Sequence, residues 1–339
     1  MQQKRWKKQV LDILAKTAFA TGISHPDKSS SAVIVTFHRI LPEELKRLYP
    51  YPKLVVTPEE LCWCMDYFNR HYRIMTVSDL IAAETGIAAK PLLAVSFDDG
   101  QLDNYQFAAP SLEGSNTKAT FYIPTHAIDS QRLLWHDILG FSLLAAKSNK
   151  KLNGTISGII SELRINLDFS NVETAVEQCK VLSADVRHKL INSLSSLQEI
   201  YIPEWANMMN WEQIKILAKD GHEIGSHSIM HNLLPQLSDA EIEKEIIDSK
   251  LLIEQKIGRS VLSFCYPNGN FDARCKKAVI LAGYKNAVTT GRGAIKFKKT
   301  NVAVPRCNIC IEHQLNAAGR LTYPLLAFRL SVLHPAKWR

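Results

Sequence analysis

Two short stretches carry residues whose types and spacing could do chemistry. In Leu92–Gly100, LLAVSFDDG, an apolar run stops on Asp98, Asp99 and a glycine. Leu92–Phe97 is too short for a helix and reads as a strand covered on both faces. The two carboxylates then fall at its C-terminal end, where parallel α/β sheets gather binding and catalytic groups. Side chains alternate along a strand, so one aspartate could hold a metal while the other stays free as a base. Taken alone, Asp-Asp-Gly is more simply a helix cap followed by a turn residue. A second stretch, Gly221–His231, GHEIGSHSIMH, shifts that balance. Glu223–Ser226 reads as a short strand, and His227 and His231 follow at i, i+4, which puts two imidazoles on one face of a helical turn and suits a zinc pair. With Asp99 they form a set of two histidines and one carboxylate that leaves positions open for water and substrate.

In these residues the chain resembles the polysaccharide deacetylase family, the NodB-homology esterases that remove acetyl groups from N-acetylated sugars. The family's first motif, S/T-F-D-D-G, is matched by Ser96-Phe97-Asp98-Asp99-Gly100, and its second, H-S/T-x-x-H, by His227-Ser228-Ile229-Met230-His231. Both are complete and in the family's order, and the likeness runs roughly over Ala32–Ile311 around a long middle segment. The resemblance implies a divalent metal, expected to be zinc, on Asp99, His227 and His231, lowering the pKa of a bound water and polarising the acetyl carbonyl. It implies Asp98 as the base that takes a proton from the attacking water, and a histidine that protonates the leaving amine. The implied substrate is an N-acetylated glycan: a polysaccharide, an oligosaccharide or a lipid-linked precursor.

Two departures from the family pattern bear on that reading. The third motif is usually Arg-x-Pro-Tyr, whereas this chain has Phe264-Cys265-Tyr266-Pro267-Asn268-Gly269, an F-x-Y-P-x-G variant with cysteine where the arginine would stand. Arg306, in Val304-Pro305-Arg306, is the candidate to orient Asp98 instead, and Tyr266 and Pro267 are candidate substrate contacts. The histidine of the family's L-x-H motif has no evident counterpart. His38, His136 and His313 are the candidates for its role, and His38 is preferred because it ends the strand Ala32–Phe37. A backbone N–H near Tyr122 or Ile123 is expected to serve the oxyanion. Trp135, in Trp135-His136-Asp137, either stacks on a sugar ring or anchors the middle segment.

The elements that must position these residues follow from patterning. Strand and helix alternate, which predicts an α/β fold: a distorted (β/α) barrel of about seven parallel strands over residues 30–312. Thr57-Pro58-Glu59-Glu60 and Ser238 with Glu241 are capping boxes opening helices. In the second helix, Ser238–Ile257, the apolar side is expected to hold Ile242, Ile246, Leu251 and Ile253, with its many charges a solvated face. Over about 131–206 the rhythm breaks into apolar-periodic stretches with few strand signals, too long for a bare loop, and reads as a helical insertion beside the active edge.

The chain of 339 residues has a formal net charge of +8, which favours anionic surfaces, but no basic stripe interleaved with aromatics, so nucleic acid is not an expected partner. Residues 1–25 read as a basic amphipathic helix in which Trp6, Val10, Ile13, Leu14 and Thr17 recur at helical spacing. This is the pattern of peripheral contact with an anionic membrane, or of a helix packed on the domain. Residues 25–31 read as a polar linker and 313–339 as a basic and apolar tail. The seven cysteines form no evident disulfide framework. Thiols without a signal peptide predict a cytoplasmic protein, peripheral at the inner membrane. Two rival functions share these residues: an amidohydrolase acting on a non-sugar amide, and an inactive carbohydrate-binding relative.

Overall fold

The computed structural model describes residues 2–24, 32–83, 90–291, 295 and 301–331. Its strands are β1 (Ala32–Phe37), β2 (Arg39–Ile40), β3 (Val55–Val56), β4 (Arg73–Met75), β5 (Leu92–Phe97), β6 (Thr120–Ile123), β7 (Glu223–Ser226), β8 (Ser263–Cys265), β9 (Asn286–Val288), β10 (Asn301–Val304) and β11 (Cys307–Asn308). Nine of them make one parallel sheet in the order β10-β9-β8-β7-β6-β5-β1-β11, with β4 beside β5, while β2 pairs with β3 apart from it. The sheet curls into a half-barrel with helices around it, the α/β architecture expected from the strand and helix alternation. It holds more strands than expected because a two-residue strand such as β11 leaves too short a pattern to read.

Alternation along the strands sorts the apolar residues into two layers. Ile34, Ala94, Tyr122, Cys265, Val288 and Val304 form an inner cluster. Phe37, Val95, Phe97, Phe121, Ile224 and Phe264 belong to the larger core beneath the helices. Phe37, Phe97 and Phe121 lie in register across β1, β5 and β6 and stack with ring centroids 5.5 and 5.0 Å apart. Such aromatic ladders hold register by burying large areas in one geometry. The next residues along these strands, His38 and Asp98, therefore emerge at one level.

Gly225 of β7 serves the inner layer, since a Cβ there would meet the Tyr122 ring at 2.5 Å and the Ser263 carbonyl at 3.1 Å. Tyr122 in turn bonds Ser263 Oγ at 2.6 Å. Gly225→Ala should cost about 1–3 kcal/mol through overpacking, read as a lowered thermal midpoint.

The segment 131–206 is helical, with helices Trp135–Ser148, Lys150–Glu162, Val172–Lys180 and Ala184–Ser195. Its polar stretch Lys147–Asn153 holds a junction in which Asn149 accepts from Leu152 N and caps the second helix directly after the first. The helix Asp239–Ile257 has the expected capping box, but its buried side differs from the expectation. Leu251 is 58% exposed, and Glu245 and Ser249 are buried with Ile242, Ile246 and Ile253. At the start of the chain, helix Gln2–Ala20 packs Ala15 and Ala18 on Leu325 and Phe328 of helix Tyr323–Leu330. The expected linker 25–31 and residues 332–339 of the expected tail lie outside the described residues.

Candidate active site

Asp98 continues the inward side of β5 set by Ala94 and Ser96, and is 2% exposed. Arg306, which follows β10, reaches it with both arms of its guanidinium: Nη1 donates to Oδ1 at 2.7 Å and Nη2 to Oδ2 at 2.6 Å. Nη1 also donates to Thr36 Oγ1 and Ser96 Oγ at 3.1 Å each, Nε to the Thr289 carbonyl at 3.2 Å and Nη2 to Cys265 Sγ at 3.1 Å. Every face of the buried cation is thus satisfied, the condition under which such a pair is tolerated. Cys265, buried on β8, sets its small side chain against both partners of this pair, with Sγ 3.7 Å from Asp98 Oδ2. Burial would raise the Asp98 carboxyl, but the charge and hydrogen bonds of Arg306 outweigh it and hold the group below its ordinary value.

The two aspartates are not separated by strand alternation. Asp99 has φ 75°, a left-handed conformation that aspartate tolerates, and this turns its carboxylate back toward the pocket that Asp98 faces. Gly100 follows at φ 66°, where a Cβ would meet Ile123 and Ile128 at 3.2 Å and Pro124 at 3.3 Å.

His227 and His231 also converge, though not on a helix as their spacing suggested. They sit in a loop after β7 in which Ser228 and His231 take left-handed φ of 66° and 55°. His231 N donates to Ser228 Oγ at 3.1 Å. Glu245 reaches in from helix Asp239–Ile257 and accepts from Ile229 N at 2.8 Å, Met230 N at 2.9 Å and Asn232 Nδ2 at 3.1 Å. This carboxylate, expected to be part of a solvated face, anchors the loop between the two histidines. Glu245→Gln should keep the fold and weaken divalent-ion affinity by about 10–100-fold, as for other supporting partners of ligands, measured by competition with a chelating dye.

His227 Nε2 lies 3.5 Å and His231 Nε2 3.3 Å from Asp99 Oδ1. His227 Nδ1 donates to the Cys265 carbonyl at 2.7 Å, which orients the ring with Nε2 toward Asp99. Burial would lower this imidazole, but its contacts with Cys265 and Asp99 hold it well above its ordinary value, so an ion on Nε2 would displace a proton there. Burial pushes His231 down to about 4, so it is neutral and available as a ligand near pH 7. Burial would raise Asp99, but hydrogen bonds from both histidines hold it well below its ordinary value. One carboxylate oxygen and two imidazole nitrogens within 4.8 Å of one another fit a divalent ion such as zinc.

The pocket over this cluster is lined by His38, Asp98, Asp99, His136, His227 and His231, walled by Tyr51, Trp135, Val176 and Lys180 on one side and Tyr266, Asn268 and Thr290 on the other. Trp135, Val176 and Lys180 come from the helical insertion, which therefore supplies one wall of the site. Trp135 is 8% exposed and carries the Arg187 guanidinium 5.4 Å from its ring centroid, so one face is already covered from within the insertion. Tyr266 ties its hydroxyl to the Val302 carbonyl at 2.9 Å and lends only its ring. Pro267 is not among the lining residues, because it is buried as the first residue of a tight turn. His313 is exposed in a turn away from the pocket, and neither Tyr122 nor Ile123 lines it.

One part of the arrangement had no sequence signal. Arg39 is buried between Asp103, with which it forms an ion pair, and Gln101 Oε1 at 2.9 Å. Gln101 Nε2 donates to Asp137 Oδ2 at 2.8 Å, and Tyr49 donates its hydroxyl to Asp137 Oδ1 at 2.6 Å. The network locks the insertion's first turn to the ends of β1 and β5 and brings His136 Nε2 to 3.9 Å from Asp99 Oδ2. Arg39 and Asp137 each adjoin a residue singled out from sequence, but nothing in the sequence pairs them.

With this geometry in hand, the family model for polysaccharide deacetylase matches residues 85–287, more than half of the chain. Among curated proteins, the chain is 32% identical to YxkH of Bacillus subtilis (strain 168) over 98 residues, 29% of this chain and 35% of that one. It is 32% identical to the peptidoglycan-N-acetylglucosamine deacetylase of Bacillus cereus over 75 residues, 22% of this chain and 35% of that one. The aligned stretches thus span about a third of the length of these relatives. Among solved structures, IcaB from Ammonifex degensii superposes with TM-score 0.57 at 15% identity, over 89% of this chain and 98% of that one. The Streptococcus pyogenes deacetylase PplD in complex with acetate does so with TM-score 0.55 at 15% identity, over 85% and 95%. At these identities the structural likeness speaks to the fold alone.

Proposed function

Since the chain belongs to the polysaccharide deacetylase family, we propose that it hydrolyses N-acetyl groups on the amino sugars of a glycan, using a divalent ion and Asp98 as base. The observation that carries this reading is a single pocket in which Asp98, held by the buried Arg306, stands beside the cluster of Asp99, His227 and His231. A divalent ion on those three residues would supply a Lewis acid for the acetyl carbonyl.

The chain's own groups do the rest. Arg306 uses one lone pair on each Asp98 oxygen, which fixes the carboxylate plane and leaves further lone pairs to accept a proton from the attacking water. The base stays ionised near pH 7 because Arg306 holds its pKa down. The insertion wall and Tyr266 shield the pocket and orient the sugar. The leaving amine takes its proton from a pocket imidazole outside the ligand set, His38 or His136. A His38→Ala variant whose pH–rate profile loses its alkaline limb assigns the step to His38; a limb that persists assigns it to His136.

The reading is tested by acetate release from N-acetylated oligosaccharides, polymers and lipid-linked amino sugars by the zinc-loaded protein. Release from some members names the substrate class. Silence across the panel with the ion bound overturns it in favour of a non-sugar amidohydrolase or an inactive carbohydrate-binding relative.

A further inference from the structure

Helix Gln2–Ala20 has two apolar sides, and among the described residues only one is covered. Ala15 and Ala18, with Leu11 partly covered, pack against Leu325 and Phe328. At 3.6 residues per turn, Trp6, Val10, Ile13 and Leu14 fall on the opposite side. They are 52%, 37%, 63% and 48% exposed. The packing on helix Tyr323–Leu330 therefore does not account for this stripe, and four large apolar side chains in a row along one helix face mark an interaction site. The helix also carries Lys4, Arg5, Lys7, Lys8 and Lys16 against the single carboxylate of Asp12, a net +4 within the chain's formal +8.

We propose that this helix lies flat on an anionic lipid surface. The stripe of Trp6, Val10, Ile13 and Leu14 enters the boundary between headgroups and acyl chains, the cations of the helix supply attraction to the headgroups, and the Ala15–Ala18 side stays docked on Leu325 and Phe328. No helix among the described residues is long and apolar enough to cross a membrane, so the contact is interfacial. Charge selects lipid over a second copy of the chain. Two such helices face to face would bring five cations against five with only two carboxylates between them, a like-charge arrangement that disfavours pairing.

The test uses the full chain and two kinds of vesicle, phosphatidylcholine alone and phosphatidylcholine containing phosphatidylglycerol. The parent should co-float with the anionic vesicles and detach as salt is raised. The double variant Trp6→Ser, Ile13→Glu should partition about tenfold more weakly or worse. Both substituted side chains are exposed, so its thermal midpoint and its acetate release from a water-soluble substrate should equal the parent's. Three results would overturn the proposal: no flotation, equal flotation of parent and variant, or equal binding to the neutral vesicles. A concentration-dependent dimer in sedimentation velocity that the same substitutions abolish would overturn it too, assigning the stripe to a second copy.

Discussion

Asp98→Asn retains the divalent ion and loses acetate release by about 10²–10⁴-fold, the range by which general-base catalysis accelerates reactions. The ligand set of Asp99, His227 and His231 does not include Asp98 Oδ atoms bonded to Arg306, so ion stoichiometry by elemental analysis should equal the parent's. The asparagine amide cannot accept a proton from water at neutral pH, and its N–H₂ would face a guanidinium that is itself a donor. Some stability is therefore lost as well, and activity is compared at a temperature where both proteins are folded. Turnover that survives the substitution would remove Asp98 from the role of base.

Arg306→Met leaves the Asp98 carboxylate buried without its partner and should destabilise the protein by about 3–5 kcal/mol, the usual cost of breaking a buried pair from one side. The double variant Asp98→Asn, Arg306→Met should be more stable than the sum of the single losses, because no uncompensated charge remains, and the coupling is read from a double-mutant cycle of denaturant midpoints. The pH dependence has a definite sign. Because the folded-state pKa of Asp98 is depressed, its contribution to stability is present above the ordinary carboxylate value and is lost as pH falls through the folded value. In Arg306→Met the main opposition to burial is gone and that pKa rises, so the deficit is largest near neutrality and shrinks in acid. Arg306→Lys keeps a charge but not the two-armed geometry. The acidic limb of its pH–rate profile should therefore move upward, because Asp98 must be ionised to act.

How far the site was legible in sequence varies residue by residue. The Asp98-Asp99 and His227-His231 motifs are local, and strand-end placement follows from an apolar run and its length, so those four could be read along the chain. Arg306 could be nominated only because the third motif carries Cys265 in place of arginine, and its approach to Asp98 depends on its position between β10 and β11, the two ends of the sheet order, with β11 next to β1 and β1 next to β5. The two histidines spaced i, i+4 do converge on Asp99, but not on the helical turn that the spacing suggested. A loop with two left-handed residues, tied down by Glu245, brings them to Asp99.

What the sequence by itself determined is the set of elements and the chemistry available at their ends: alternating strands and helices, capping boxes, two carboxylates, two imidazoles and an insertion rich in helix. These depend on patterns a few residues long, and backbone geometry repeats at that scale. What only the tertiary structure decided is which distant groups meet. Buried charges must find partners wherever the fold places them. That requirement put Arg306 against Asp98, Glu245 beneath the histidine loop and Arg39 against Asp103, at sequence separations over which no local pattern exists. The tertiary structure likewise decided that, among the described residues, one apolar side of the N-terminal helix is docked and the other exposed, since the helix period shows two apolar sides but not which of them the fold will cover.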